Sequence, residues 1–210
     1  FLGRRDTNGF DETLLRGKLR WRIGEDLTAD LMAMYANLDD GYDAWAIDNS
    51  RVTQSDEPGR DAQRSRAVSL RLAYEGFSAA TLRSISAFAD SDMAYSFDGD
   101  WGNDAFWGDN GPYQFFQNIE RRRRSTSQEL RLVSKDSAAK LRWVGGLYLL
   151  RLDETYGVVD TFNGDLFRQL TSDYSATNLA AYGQFDLDVA PRLTLSAGLR
   201  LERRSADYAD

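Results

Sequence analysis

One run near the start of the chain reads Thr13-Leu14-Leu15-Arg16-Gly17-Lys18-Leu19-Arg20-Trp21-Arg22-Ile23. Its residues alternate between apolar or small and cationic along most of its length. Successive side chains of a β-strand point to opposite faces of a sheet, whereas a helix would mix the two sets. The run therefore predicts a strand whose two faces differ: Leu15, Gly17, Leu19, Trp21 and Ile23 lie on one, and Arg16, Lys18, Arg20 and Arg22 on the other.

The same period of two recurs along the chain. It returns at 193–202, where leucines alternate with polar residues, and at 27–37, 65–75 and 177–188. Weaker alternation marks 80–89, 126–134 and 141–152, and the orientation of the first and last of these stays open. About eight strands are predicted.

The connections alternate between short and long. Tight turns rich in Gly, Pro, Ser and charge are predicted at 24–26, 75–78, 135–139 and 189–192, each closing a hairpin. The other connections, 38–64, 90–124 and 153–173, far exceed the usual median of about 4 to 6 residues. Outer-membrane barrels have such short periplasmic turns and long extracellular loops. The predicted fold class is all-β: an antiparallel up-and-down transmembrane β-barrel segment of about eight strands.

Composition excludes several functions. The 210 residues include no Cys and no His, so the chain alone builds no Ser-His-Asp or Cys-His catalytic unit and no thiolate or imidazole metal site. A net charge of -7 argues against a nucleic-acid partner. We predict no enzymatic activity, no cofactor and no metal site. No run approaches the roughly 18 to 20 apolar residues of a membrane-spanning helix.

The direction of the strands indicates whether the 210 residues form a whole barrel or part of one. If the short turns are periplasmic, both ends of the chain lie on the outer side, whereas a complete bacterial barrel is expected to keep its termini in the periplasm. We therefore expect an internal segment of a larger barrel; a stand-alone eight-stranded barrel is the alternative.

Several strings are similar to successive barrel strands of TonB-dependent receptors. They are Thr126–Ser134, Leu141–Tyr148, Ala181–Asp188 and Pro191–Arg200, with a further likeness in Leu82–Trp101. The resemblance covers most of 65–205. It implies a Gram-negative outer-membrane location and TonB-energised uptake of a scarce bulky solute, most often a ferric siderophore and sometimes cobalamin, haem or an oligosaccharide, without choosing among them. It also implies three partners: a plug domain, TonB with its inner-membrane complex, and the ligand. The 210 residues contain no recognisable plug domain.

Aromatic residues are dense in the predicted loop 90–124. Such rings can stack on a planar siderophore or a sugar face; alternatively, they pack the loop on itself and on its neighbours. The candidate ligand-binding residues are Tyr95, Phe97, Trp101, Phe106, Trp107, Tyr113, Phe115 and Phe116.

Acidic residues in the same loop invite comparison with a calcium site. An EF-type loop starting at Asp98 needs Asp or Asn at its fifth place and Gly at its sixth, but Gly102 and Asn103 stand there. A solvated, turn-forming acidic loop is the better interpretation.

Cationic residues fall into two groups. Arg121, Arg122, Arg123 and Arg124 lie where an outer loop enters a strand, and their guanidinium groups suit lipopolysaccharide phosphates; a plain charged rim is the alternative. The second group is expected to face the barrel lumen, because a cation on the lipid face costs roughly 2 to 4 kcal/mol near the midplane. Its members are Arg16, Lys18, Arg20, Arg22, Arg71, Arg83, Arg131 and Arg200.

Three functional hypotheses follow. The first is a segment of a TonB-dependent receptor with outer-membrane lipid and lipopolysaccharide around it. The second is a passive porin-like barrel, and the third is a soluble carbohydrate-binding β-sandwich that buries the apolar faces. Trp21, Tyr35, Tyr74 and Trp143 are expected to be membrane-interface anchors.

Overall fold

The computed structural model describes residues 7–43, 45–135 and 139–210. Eight strands form one antiparallel sheet in which each strand pairs with its neighbours in the chain, confirming the predicted up-and-down order. The strands are β1 Glu12–Ile23, β2 Leu27–Tyr42, β3 Gly59–Tyr74, β4 Ala80–Asp98, β5 Phe115–Ser134, β6 Leu141–Phe162, β7 Asp165–Ala190 and β8 Leu193–Ala209. Between β4 and β5 lie the helix α1, Asp104–Trp107, and a 3-10 turn, Gly108–Asn110. In the described ranges, no helix is long and apolar enough to cross a membrane.

We call the side of the sheet with the short turns its lower side. There the first or last residue of each strand agrees with the prediction to within a few residues. Residues 136–138 of the predicted turn 135–139 lie outside the described residues. The upper ends differ, because every strand except β1 continues well beyond its predicted limit. The two remaining long connections shrink to 43–58 and 99–114.

The predicted long loop 153–173 was wrong. It is the top of a tall hairpin in which β6 and β7 are joined by Asn163 and Gly164 alone, with φ of 50° and 81°. Two consecutive positive φ angles fit a type I′ turn, for which Asn-Gly is a preferred pair. The Asn-Gly pair is present in the sequence, but the strands on either side of it were not predicted because they have polar residues on both faces.

The register places leucines from all eight strands on one face. Leu19, Leu31 and Leu70 are successive cross-strand partners, and the row through Ile23 reaches Leu199 on β8. We call this the leucine face; its side chains are exposed, with Leu19 at 61% and Leu199 at 68%. The opposite surface is the arginine face. Strand alternation places Leu147 and Leu149 on the leucine face and Tyr148 and Leu150 on the other, which settles the open orientation of β6.

The apolar residues of the leucine face form a band that descends across the sheet. On β1 the upper edge of the band is Leu15. The cross-strand partners of Leu15, followed from strand to strand, lead to Asp207 on β8. The band on β8, however, begins at Leu201, six residues closer to the short turns. If the band lies perpendicular to the barrel axis, the strands must tilt by about 30° from that axis, as follows from the spacing between strands and the rise per residue. Tilt and stagger of this kind accompany barrel closure. The sheet over the described residues is not closed, and β1 and β8 are its edges.

Polar residues interrupt the band on β4 and β5. Ser84, Ser86 and Gln128 share the leucine face, which explains the weak alternation of these strands. The Ser86 hydroxyl donates to the Gln128 side-chain oxygen at 2.5 Å, and the Gln128 amide donates to Ser84 Oγ at 2.9 Å. These bonds reduce the cost of placing polar groups in an apolar surface.

Candidate functional site

The arginine face carries a connected polar cluster on β5, β7 and β8. Arg131 donates to Tyr182 Oη at 3.0 Å and to Glu129 at 2.7 Å, and the Tyr182 hydroxyl donates to the same Glu129 oxygen. The Arg200 guanidinium lies 5.9 Å from the centroid of the Tyr182 ring. Strand parity places all the predicted lumen-facing cations on this face: Arg16, Lys18, Arg20, Arg22, Arg71, Arg83, Arg131 and Arg200.

Three segments meet above the band through aromatic contacts. Loop 43–58 contributes Trp45, whose ring stacks on Trp101 of loop 99–114 at 5.8 Å and 22°. Within loop 99–114, Trp107 contacts Phe106 and Tyr113 edge to face. The tip of the β6–β7 hairpin completes the cluster, with Phe162 against Tyr113 and Phe167 against Phe115.

Acidic and amide side chains shape loop 99–114. Asp100 accepts hydrogen bonds from the backbone N–H of Gly102 and of Phe115, at 3.0 and 2.7 Å, and from the indole N–H of Trp107 at 3.0 Å. Asn103, 1% exposed, caps α1 by accepting from the Phe106 N–H, and it donates to the Gln54 carbonyl at 2.6 Å. These side chains therefore hold the loop. Among the described residues, no group of three or more acidic side chains is placed to hold a metal ion.

Of the eight predicted aromatic residues, seven make ring contacts, and Phe116 makes none with the part of the chain that the structure describes. Four of them lie in strands rather than in the loop: Tyr95 and Phe97 in β4, and Phe115 and Phe116 in β5. Strand alternation turns Phe116 to the leucine face, away from the other three. The prediction missed Tyr42, Trp45, Phe162 and Phe167, which lie far from the loop in sequence.

Six rings of the cluster remain substantially exposed: those of Trp45, Trp101, Phe106, Tyr113, Phe162 and Phe167. Trp101 has a φ of 59°, a left-handed conformation that is unusual for a bulky residue and costs of order 1 to 3 kcal/mol. The Asp98 carboxylate helps to hold it by accepting the Trp101 N–H at 3.1 Å. The stacked pair Trp45 and Trp101 is thus a fixed apolar platform open to solvent.

Asp98, at the end of β4, is buried. Its second carboxylate oxygen and the Ser55 hydroxyl are buried, and neither has a hydrogen bond of normal geometry within the described residues. Burial is the main cause that raises the pKa of Asp98 to about 6; the neighbouring Ser55 hydroxyl and the backbone N–H groups of Asp100 and Trp101 oppose the rise, and the Asp100 carboxylate adds to it.

The loop is therefore expected to lose stability as the pH rises. Because the pKa of Asp98 in the folded loop exceeds its unfolded value of about 3.9, the stabilising effect is complete below about pH 4 and is lost as the pH rises through about 6. Asp98→Asn removes the buried charge, so the variant loop should resist proteolysis better than wild type at pH 7.5 and equally well at pH 4. Asp109→Asn, in the exposed part of the loop, is the control. Equal cleavage of the wild type and Asp98→Asn at both pH values would contradict the assignment.

The four consecutive arginines divide between the two faces. Arg122 and Arg124 lie on the leucine face above the apolar band and pair with Asp92 at 3.5 Å and with Asp90 at 3.0 Å. Arg121 and Arg123 lie on the arginine face, 3.7 and 3.8 Å from Glu154. Because alternate residues of a strand point to opposite sides, one surface cannot use all four.

Comparison with known proteins identifies the class to which this two-faced sheet belongs. The family model described as "TonB dependent receptor-like, beta-barrel" matches residues 3–210, and the chain belongs to that family. Members of the family are receptors and transporters of the Gram-negative outer membrane. No curated protein matches the chain by sequence.

Solved structures share the fold at low identity. The ferric yersiniabactin uptake receptor FyuA from Yersinia pestis aligns with a TM-score of 0.76 and 16% identity, over 95% of this chain and 31% of that one. FpvAI, in its complex with pyocin S2, aligns at 0.73 and 16%, over 97% and 32%. The ferric citrate transporter FecA, unliganded, aligns at 0.69 and 14%, over 97% and 31%. The chain spans about a third of the length of these structures.

Proposed function

We propose that the chain forms part of the barrel wall of an outer-membrane receptor that takes up a scarce, bulky solute with energy delivered through TonB. The level apolar band on the leucine face carries this proposal. Its side chains are exposed, and only a lipid environment or another apolar surface removes them from water. The leucine face then contacts lipid, and the arginine face lines a polar lumen in which a plug domain is held.

A ferric siderophore is the solute that we favour. The exposed platform of Trp45 and Trp101, together with Phe106 and Tyr113, offers flat apolar surfaces at the extracellular entrance. Two of the structurally similar proteins carry names that refer to ferric yersiniabactin and ferric citrate. Both observations support an iron chelate as cargo.

The two alternatives have less support. A soluble sandwich needs a second layer over the leucine face, and the described residues form a single sheet. A passive porin-like barrel shares the lipid-facing band, but the family match favours an energised receptor.

Energy dependence distinguishes the receptor from the porin. Cells that lack the gene should lose high-affinity uptake of one ferric siderophore, and expression of the full-length protein should restore it. A protonophore or deletion of tonB should abolish the restored uptake. Uptake that persists without TonB and shows no saturation would contradict the proposal and indicate a passive channel.

Replacement of the platform should weaken ligand binding. Trp45→Ala and Trp101→Ala each remove one ring of the stacked pair, and we expect affinity to fall about threefold to tenfold for each, since an aromatic pair contributes about 0.5 to 1.5 kcal/mol beyond burial. Binding of the labelled ferric siderophore to whole cells measures the change. Val52→Ala, an exposed apolar residue of loop 43–58, is the control. Unchanged affinity in both tryptophan variants would assign the rings to loop packing alone.

A further inference from the structure

Arginines on the leucine face lie above the apolar band, directly above it on β3 and separated from it by Gln128 and Thr126 on β5. On β3 the band ends at Val68 and the next two residues of that face are Arg66 and Arg64. On β5, Arg124 and Arg122 occupy the same two register rows, with Asp90 and Asp92 of β4 between the two strands. This part of the sheet is internal, because β3, β4 and β5 each have a paired strand on both sides.

On β3, β4 and β5 these two rows hold four arginines against two carboxylates. The two carboxylates pair with the β5 arginines, Asp90 with Arg124 and Asp92 with Arg122. Arg66 makes no ion pair or hydrogen bond within the described part of the chain, and Arg64 makes a single long one of 3.5 Å, to Asn37. Two exposed guanidinium groups therefore retain nearly all their donors at the hydrocarbon boundary.

A groove of about 600 Å³ lies immediately above these arginines on the same face. Small residues line its floor, Ala62 on β3, Ala94 on β4 and Gly157 on β6. Charges of both signs line its rim: Arg60, Arg64, Arg122, Asp39, Asp92 and Glu120. A shallow floor with donors and acceptors around it suits a hydroxyl-rich sugar.

We infer that this patch binds the phosphorylated sugar headgroup of the outer-leaflet glycolipid, with phosphate on Arg64 and Arg66 and sugar in the groove. The guanidinium fork matches phosphate oxygens bidentately, and the level just above the acyl chains is where lipid phosphates lie. The inference rests on the proposed outer-membrane location. It assigns to lipid two arginines outside the Arg121–Arg124 run.

The double variant Arg64→Gln/Arg66→Gln tests the inference. It leaves Asp90 and Asp92 in their ion pairs with the β5 arginines. The full-length protein is purified in mild detergent, and its binding to vesicles that contain diphosphorylated lipid A is compared with binding to vesicles of dephosphorylated lipid A. We expect the variant to bind the phosphorylated vesicles about thirtyfold more weakly, as each basic residue near an anionic surface contributes about a factor of five. The control is Arg71→Gln/Arg83→Gln, which removes two charges from the arginine face and should bind as the wild type does.

Heat-modifiable gel migration verifies that each variant is folded. Equal binding by the wild type and Arg64→Gln/Arg66→Gln would overturn this inference and leave the proposed function standing. Displacement of the lipid by millimolar inorganic phosphate would overturn it as well, because the site would then take a free anion. A wild-type protein that associates with no vesicle of any composition would contradict the proposed function itself.

Discussion

Leu130→Arg should prevent the protein from accumulating in the outer membrane. Leu130 lies on the leucine face of β5, inside the apolar band and 44% exposed. In the proposed orientation a guanidinium there meets acyl chains, and an arginine on the lipid face costs roughly 2 to 4 kcal/mol near the midplane. A loss of that size is a large part of the stability of a typical domain, which is about 5 to 15 kcal/mol. We therefore expect a heat-modifiable outer-membrane band reduced at least tenfold.

Ser127→Arg provides the matched control on the same strand. Ser127 lies on the arginine face, two residues from Glu129, so the new cation faces a polar surface with a carboxylate nearby. We expect near-normal accumulation of this variant. If Leu130→Arg accumulates as well as Ser127→Arg does, the leucine face does not contact lipid. Spin labels at Leu19 and Leu199 give an independent test, because lipid contact makes them accessible to oxygen and inaccessible to polar relaxation agents.

Gly146→Ala should destabilise the barrel wall by about 1 to 3 kcal/mol, the usual cost of overpacking. A Cβ atom at Gly146 would come within 2.6 Å of the Tyr182 ring and within 2.8 Å of the Leu130 carbonyl oxygen. The ring must then move and lose its bonds to Glu129 and Arg131, while the backbone carbonyl cannot easily yield. The midpoint of urea unfolding of the purified full-length protein measures the loss.

The neighbouring glycine is the control for this substitution. A Cβ at Gly145, on the leucine face, would meet only the Tyr182 backbone oxygen, at 3.7 Å, which is an ordinary contact. Gly145→Ala should unfold at the wild-type urea concentration or slightly above it, because alanine loses less backbone entropy than glycine. Equal destabilisation by the two substitutions would show that the effect arises from the strand backbone and not from the Tyr182 cluster.

The sequence predicted the part of each strand that carries the apolar band and failed above it. Along the band the two faces differ in polarity, as the proposed contact with lipid on one face and water on the other requires, so residues such as Leu19 and Arg20 alternate. Above the band both faces are polar, and runs such as Arg121–Arg124 carry no alternation although they are fully paired in the sheet. The strands therefore continue where the pattern stops, and the predicted loop 153–173 is a hairpin.

The candidate ligand site was only partly predictable. Aromatic density marked Trp101, Phe106, Trp107 and Tyr113, which lie close together in the chain. Aromatic density did not predict the contacts of Trp45 with Trp101 and of Phe162 with Tyr113, in which the two residues are more than 45 positions apart in the chain. These contacts depend on how far the neighbouring hairpins extend above the band. The role of Asp100 as a backbone acceptor was likewise hidden, since its partners include Phe115 of the returning strand.

The amino-acid sequence by itself determined the number of strands, the positions of the short turns and the two-faced character of the sheet. Each of these follows from local rules: period-two polarity, and turn residues at the hairpin ends. Only the tertiary structure decided the slope of the apolar band across the sheet and the meeting of three segments around Trp101. These depend on register between strands, which is set by pairing across the whole sheet and not by any single stretch of chain.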